Sequence, residues 1–406
     1  MTEVQARLEE IRRSGLHRRL RLIEGRQGPR VLLDGGEVLL LCSNNYLGLA
    51  DHPKVRDAAA QGAERYGAGA GASRLISGTM SLHRELEGRL AEFTGAETAL
   101  LFGSGYLANT GTVAALAGRG DVVLSDELNH ASIIDGCRLS RAETFIYRHR
   151  DTEHLEWGLR QAGPRAALIV TDSVFSMDGD VAPLPEIAEL AARHRCMLMV
   201  DDAHGIGAIG PGGRGAVAAA GLAGRVDVVV GTLGKALGSY GAFVCARRDV
   251  TELLINTARP FIFSTAPPPP SLGAALAALD VLRSRPGLVE QLRRAAATLR
   301  EELARYGLDL GGSRTQVVPV MVGDARRAMA LCERSLEGGV FAQAIRPPTV
   351  PEGTSRLRLA VMATHGADEL RNAAHVIGHT ARDLGIADSP QGPAVTDAHA
   401  RVERAA

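Results

Sequence analysis

Between residues 98 and 245 the chain repeats one pattern: a short apolar run, a polar or glycine-rich turn, then a stretch with helical character. The apolar runs are Thr98–Phe102, Val122–Leu124, Ala166–Thr171, Met197–Val200, Val226–Val230 and Ala242–Cys245. They are near-continuous rather than alternating, as expected of strands covered on both faces. Strands separated by helices pair in parallel through crossovers, not as hairpins. The expected fold class is therefore α/β, with a large domain built around a mostly parallel central sheet. In such sheets a ligand lies outside the C-terminal ends of the strands.

The turns at those ends carry the chemistry. Gly103-Ser104-Gly105 leads from the first strand into a helix, Tyr106–Leu116. Free N–H groups at such a helix start, here Gly105 and Tyr106, form a seat for an anion such as phosphate. His130 sits just past the second strand, where taken alone it reads more readily as a cap or a core residue. Ser176 follows the Ala166–Thr171 strand, and Asp201 and His204 follow Met197–Val200. Lys235 lies in Gly231-Thr232-Leu233-Gly234-Lys235-Ala236-Leu237-Gly238, after an apolar strand. In isolation it is equally a surface lysine in a glycine turn and an amine that a flat cofactor can reach. A Schiff-base lysine also needs partial desolvation to lower its pKa. A Walker phosphate loop is excluded, because Val229 stands where that motif needs glycine and Ala236 where it needs Ser or Thr. The run Gly67–Gly78 lacks the preceding strand of a dinucleotide fingerprint. Close approach to a ligand or to a partner subunit stays open there. Six features meeting at one sheet edge raise each above its isolated reading.

The flanks are simpler. Residues 1 to about 25 read as an amphipathic helix, basic at Arg12, Arg13, Arg18, Arg19 and Arg21, packing on the body of the protein. Asp34-Gly35-Gly36 between Val31–Leu33 and Val38–Leu41 is a hairpin signal. Asn44, in a polar turn, can cap the next segment or reach a ligand. Pro267–Pro270 is a stiff break, followed by a long helical region and short strands of a smaller α/β domain. The expected division is an N-terminal helix and hairpin over 1–41, a large domain over 42–270, a small domain over 271–387 and a disordered tail over 388–406.

Basic and acidic residues number 46 each, so no nucleic-acid footprint is expected. No apolar run nears membrane-span length, and no signal-peptide core follows Met1. Five scattered cysteines form neither a disulfide framework nor a zinc motif, so no metal is expected and a cytoplasmic setting is.

One cofactor uses a phosphate seat, a lysine, an acid for a pyridine nitrogen and a donor for a phenolic oxygen: pyridoxal 5′-phosphate. Asp201 beside the ring nitrogen keeps it protonated, and a protonated ring accepts electrons from a bond breaking at the substrate Cα. His204, three residues on, reaches another edge of the ring. His130 suits a lid on its face, and Thr232 offers a hydroxyl to the phosphate.

Four segments in this order, Leu128-Asn129-His130-Ala131-Ser132, Ser173-Val174-Phe175-Ser176-Met177-Asp178-Gly179-Asp180, Asp201-Asp202-Ala203-His204-Gly205 and Thr232-Leu233-Gly234-Lys235, resemble the α-oxoamine synthases. These are fold-type I pyridoxal-phosphate enzymes that condense an amino acid with an acyl thioester and release carbon dioxide. The resemblance runs from about residue 15 to 385. It implies that Lys235 holds the cofactor and then acts as the base at Cα, with Asp201 on the ring nitrogen, His204 and Ser176 near the phenolic edge and His130 stacked on the ring. It also implies phosphate binding by Gly105, Tyr106 and Thr232, and amino-acid carboxylate binding by Arg358 and Asn44. Arg18 and Thr349 match positions lining the acyl site. The block Ala344–Leu359, with Arg346-Pro347-Pro348, resembles the biotin-synthesis branch, which joins L-alanine to a pimeloyl thioester of coenzyme A or acyl carrier protein. A homodimer with sites at the subunit interface is implied. Sister branches use glycine or serine and other acyl thioesters; an aminotransferase and a non-catalytic member of the fold are the remaining alternatives. Ser239-Tyr240 after the lysine is bulkier than the family pattern.

Overall fold

A computed structural model describes residues 2–387; the tail expected to be disordered, 388–406, lies outside the described residues. The central sheet has seven strands, ordered in space Thr98–Phe102, Ala242–Ala246, Val228–Thr232, Met197–Asp201, Ala166–Asp172, Val122–Asp126 and Glu143–Tyr147. Six strands run in one direction and Ala242–Ala246 alone runs against them. Both faces are apolar, which explains the continuous runs. Leu168, Val170 and Met199 pack on one side with Ala108 and Val113 of the helix Gly105–Leu116. Ile169, Leu198 and Val200 pack on the other with Leu155, Leu159 and Ile187.

The lysine strand begins two residues later than the apolar run predicts. Asp227 instead caps the neighbouring strand, its carboxylate accepting from Leu198 N at 2.8 Å. The N-terminal helix is shorter than expected. It spans Glu3–Arg13, ends at Ser14-Gly15 with Gly15 at φ +67°, and buries none of its residues. It does not pack on the body as its apolar spacing predicts. Residues 16–22 continue without helix along the small domain, where Arg21 pairs with Glu333 at 2.5 Å and Arg346 donates to His17 O at 2.7 Å.

The hairpin forms as Arg30–Leu33 and Gly36–Leu40, turning at Asp34-Gly35 with positive φ at both residues. It is not a separate unit, because Leu39 and Leu40 pair in parallel with Val340 and Phe341 of the C-terminal part. The proline run does not separate the domains either. Pro269 and Pro270 open the helix Pro269–Ser284, where proline lacks only an N–H that would be unpaired anyway. That helix packs on Pro53–Tyr66, with Gly62 and Gly273 allowing close approach: a Cβ on Gly62 would meet Pro269 O at 2.8 Å. The small domain adds an antiparallel sheet of Val317–Gly323, Ser355–Ala360 and Gln343–Ile345, covered by Gly287–Ala304, Ala325–Glu337 and Ala367–Asp383.

One polar cluster ties two strand ends to the loop that carries Ser176. His149 Nδ1 meets Asp126 Oδ1 and its Nε2 meets Asp180 Oδ2, both at 2.9 Å. Arg150 also reaches Asp180, at 3.0 Å, and the imidazole stands edge-on to Phe175. With a carboxylate at each ring nitrogen, the imidazole is charged. Burial opposes that charge, but the two carboxylates outweigh it and raise His149 to about 9 from 6.5. A raised folded-state pKa stabilises fully below about pH 6.5 and ceases to do so as pH climbs through about 9. Urea denaturation of wild type and His149→Gln side by side across pH 6–10 is expected to show the wild type's advantage shrinking by on the order of 3 kcal/mol in that window. The titrations of Lys235 and the buried cysteines cancel in that difference.

Candidate active site

Strand ends place the groups. Asp172 and Asp201 are register partners on adjacent parallel strands, so two buried carboxylates stand side by side at the C-terminal edge. Asp201 is satisfied from two sides: Asn109 Nδ2 donates to Oδ2 at 2.6 Å and Ala203 N to Oδ1 at 2.9 Å. Asp172 accepts from His130 N at 2.8 Å. Its own N–H donates to Asn129 Oδ1, also at 2.8 Å. Burial and the Asp201 charge hold Asp172 well above the usual carboxylate range.

Lys235 follows the next strand and is half-buried. Burial lowers its amine to about 8, against the opposing pull of Asp201 and Asp172. Nζ lies 2.9 Å from His204 Nε2. His204 is buried, and burial together with the Lys235, Arg358 and His130 charges keeps it well below its ordinary value, hence neutral. Its Nδ1 contacts Tyr46 OH at 2.6 Å, and Gln316 Nε2 holds its backbone carbonyl at 2.7 Å.

His130 is a cap, one of the readings the sequence leaves open, and not a core histidine. It is the N-cap of Ala131–Ser140, accepting from Ser132 N. Its ring is exposed at the mouth of the site, with Nδ1 on Ser132 Oγ at 2.7 Å. Ser132 Oγ in turn accepts from Asn109 at 2.9 Å, joining His130 to Asp201. Ser104 caps Gly105–Leu116 through Leu107 N at 3.3 Å. The N–H groups of Gly105 and Tyr106 are left without intrahelical partners. Thr232 Oγ1 donates to Gly241 O at 3.1 Å and accepts from Gly234 N, so it braces the lysine loop.

The small domain closes the site. From strand Ser355–Ala360, buried Arg358 donates to Ser176 O at 2.5 Å and to Asn44 Oδ1 at 3.2 Å. Arg18 and Thr349 stand apart from this cluster. They line a cavity of about 650 Å³ with His17, Arg21 and Arg346. Thr349 also borders a second cavity of about 540 Å³, which Ser176 and Arg356 line. Two connecting residues, Tyr46 and Asn109, are not singled out by the sequence. Tyr46 is there only an aromatic in the polar turn Ser43–Gly48, and Asn109 only an amide within a helical stretch.

These residues fit pyridoxal phosphate. Its phosphate suits the start of Gly105–Leu116, where a Cβ on Gly105 would meet nothing within 4 Å. A basic ring nitrogen suits buried Asp201, and an aldehyde suits a depressed amine. Asn109 Oδ1 at the same edge is buried without a partner.

Residues 36–377 match the family aminotransferase class I and II. The 8-amino-7-oxononanoate synthase of Geobacter sulfurreducens is 54% identical over 94% of this chain and 99% of its own. That of Geobacter metallireducens is also 54% identical, over 93% and 98%. The chain belongs to the 8-amino-7-oxononanoate synthase family. Its fold is accordingly that of fold-type I pyridoxal-phosphate enzymes. Among solved structures, SPT with PLP internal aldimine superposes with a TM-score of 0.89 at 34% identity, over 94% of this chain and 98% of that one. The Francisella tularensis 8-amino-7-oxononanoate synthase gives 0.75 at 27%, over 86% and 99%.

The chain holds only two lysines, Lys54 and Lys235, which makes the depressed amine directly measurable. Reductive methylation of the cofactor-free protein, read by peptide mass, is expected to give Lys235 an apparent pKa of about 8, with exposed Lys54 as internal reference. An inflection near ~10.4, the value of an unperturbed lysine, would contradict the desolvated site.

Proposed function

We propose that this chain condenses L-alanine with a pimeloyl thioester to give 8-amino-7-oxononanoate, carbon dioxide and the free thiol, using pyridoxal 5′-phosphate in biotin synthesis. One observation carries the reading: the Lys235 amine and the Arg358 guanidinium belong to one hydrogen-bonded set, through His204, Tyr46 and Asn44. An amine-handling lysine and a carboxylate-receiving arginine facing one site are what an α-amino acid substrate requires.

When bound, the cofactor supplies an electron sink for the bond that breaks at Cα. Lys235 would hold the aldehyde carbon and, when free, would take the substrate's Cα proton on Nζ. Its lowered pKa leaves a useful fraction of free amine near neutrality. Asp201, held by Asn109, keeps a proton on the ring nitrogen. His204 and Ser176 would serve the phenolic oxygen, and His130 would pack on the ring. Gly105 and Tyr106 N–H groups hold the phosphate, joined by the Thr232 hydroxyl when it exchanges its bond to Gly241. Arg358 and Asn44 orient the amino-acid carboxylate. Arg18 and Thr349 line the acyl side, and the basic lining beside Arg18, Arg21 and Arg346 suits an anionic thioester.

A homodimer is part of the reading. Ile76 is 80% exposed and Phe263 71%, and Ser73 bridges to Thr265 between them, leaving an apolar surface that a second copy would cover. A cytoplasmic setting is supported by five unpaired cysteines, whose thiols burial pushes up. Among the described residues no helix is long and apolar enough to cross a membrane.

The likeness to the Sphingomonas wittichii serine palmitoyltransferase, with a TM-score of 0.90 at 32% identity over 95% of this chain and 98% of that one, favours one second reading: serine with a longer acyl thioester. Alanine, glycine and serine are to be compared against acyl thioesters of several lengths, following carbon dioxide and thiol release. Alanine with the pimeloyl thioester is expected to give the highest kcat/KM; a faster serine or glycine pair would overturn the assignment, and transamination without decarboxylation would overturn the reaction class. Lys235→Ala is expected to bind cofactor non-covalently and lose turnover by at least ~10³-fold. In Asp201→Asn, kcat is expected to fall far more than KM rises.

A further inference from the structure

A chain of four contacts joins Arg358 to Lys235, and its direction is fixed from one end. Arg358 carries only donors. Its Nη2 lies 3.2 Å from Asn44, so the amide atom turned to it is the oxygen, Oδ1. The same Oδ1 lies 3.1 Å from Tyr46 OH. Two oxygens at that distance need a proton between them, and the amide oxygen has none, so the Tyr46 hydroxyl donates to Asn44. The phenol thereby uses its single proton. Its oxygen lies 2.6 Å from His204 Nδ1 and must accept there. His204 is neutral and holds one ring proton. That proton is on Nδ1, and Nε2 presents a bare lone pair to Lys235 Nζ at 2.9 Å.

We propose that Tyr46 is a positioning residue that transmits the polarity of Arg358, through Asn44, and holds His204 as the Nδ1–H tautomer with its Nε2 lone pair facing Lys235. Burial makes the device strict. Tyr46 is fully buried and His204 nearly so, and no contact to water competes for the hydroxyl proton. Toward Lys235, in the cofactor-free chain, His204 accepts at Nε2 and does not donate. The tautomer assignment stands on the contacts together with the neutrality of the buried His204; its bearing on turnover rests on the function proposed above.

The test is nitrogen-15 NMR of the full chain labelled at histidine, with and without pyridoxal phosphate, using His204→Gln only to assign the signal. In the wild type, His204 is expected to show a protonated, pyrrole-type Nδ1 and a pyridine-type Nε2. The variants are compared above about pH 8, where Lys235 is a free amine that can accept as well as donate. Tyr46→Phe is expected there to shift the proton to Nε2. Asn44→Asp keeps an acceptor oxygen and is expected to preserve the wild-type pattern. Asn44→Leu frees the Tyr46 proton to point at Nδ1 and is expected to reverse the tautomer while leaving Tyr46 in place. An Nε2-protonated wild type, or an unchanged pattern in both Tyr46→Phe and Asn44→Leu, would overturn the proposal. Inactivity toward alanine alongside the expected nitrogen pattern would count against the proposed function and leave the relay standing.

Discussion

Burial of charge at the C-terminal edge of the central sheet is the constraint on which the site depends. Adjacent strands bring Asp172 and Asp201 into register, and the next strand delivers Lys235 into their field. An unpaired buried charge costs several kcal/mol, so each of these groups needs partners. Asn109 and the Ala203 N–H serve Asp201, and the His130 N–H serves Asp172. The carboxylates pull the amine pKa up while burial and Arg358 pull it down, and burial wins. Removing burial would let the amine pKa rise, and removing the carboxylates would let it fall further.

The second requirement is alignment between two units. Arg356 and Arg358 are two apart on one strand, so they share a face and reach the same loop. Arg358 takes Ser176 O, Arg356 takes Asp178, and Thr315 Oγ1 takes Gly179 O at 3.0 Å. Gly179 sits at φ +67°, and a Cβ there would run into Val317 O at 2.1 Å, so the approach admits only glycine. On the opposite side His149 grips Asp180 of the same loop. A loop pinned at both ends sets the distance between Arg358 and the sheet edge.

The sequence makes the sheet legible because six of its strands are covered on both faces and read as apolar runs. The edge strand Glu143–Tyr147 does not read that way, since most of its residues are open to solvent. The N-terminal helix misleads because apolar spacing alone cannot show whether a surface exists to cover it; Ser14-Gly15 stops it after eleven residues. Within the site, the groups that follow strand ends are visible as polar breaks: His130, Ser176, Asp201, His204 and Lys235. Tyr46 and Asn109 are not, because their role lies in what they touch. Asn109 is a buried polar residue within the helix Gly105–Leu116, and the Asp201 it serves lies 92 residues along the chain. Arg358 acts across a still longer separation, 314 residues from Asn44, and spacing rules carry no information at that range.

Composition adds a separate argument about the amine. Lysine and arginine together number 46, and only two of these are lysine. Nearly every surface ion pair is therefore made by arginine, including those to Glu37, Glu97, Asp227 and Glu290. Arginine serves there because a surface pair needs charge and a planar fork of donors. It cannot serve at position 235, because a guanidinium does not deprotonate at any pH the protein meets, and an undeprotonated group neither attacks a carbonyl carbon nor removes a proton. Of its two lysines the chain has one on the surface, Lys54, and the other at half-buried position 235, where the proposed role needs a cation able to become a base.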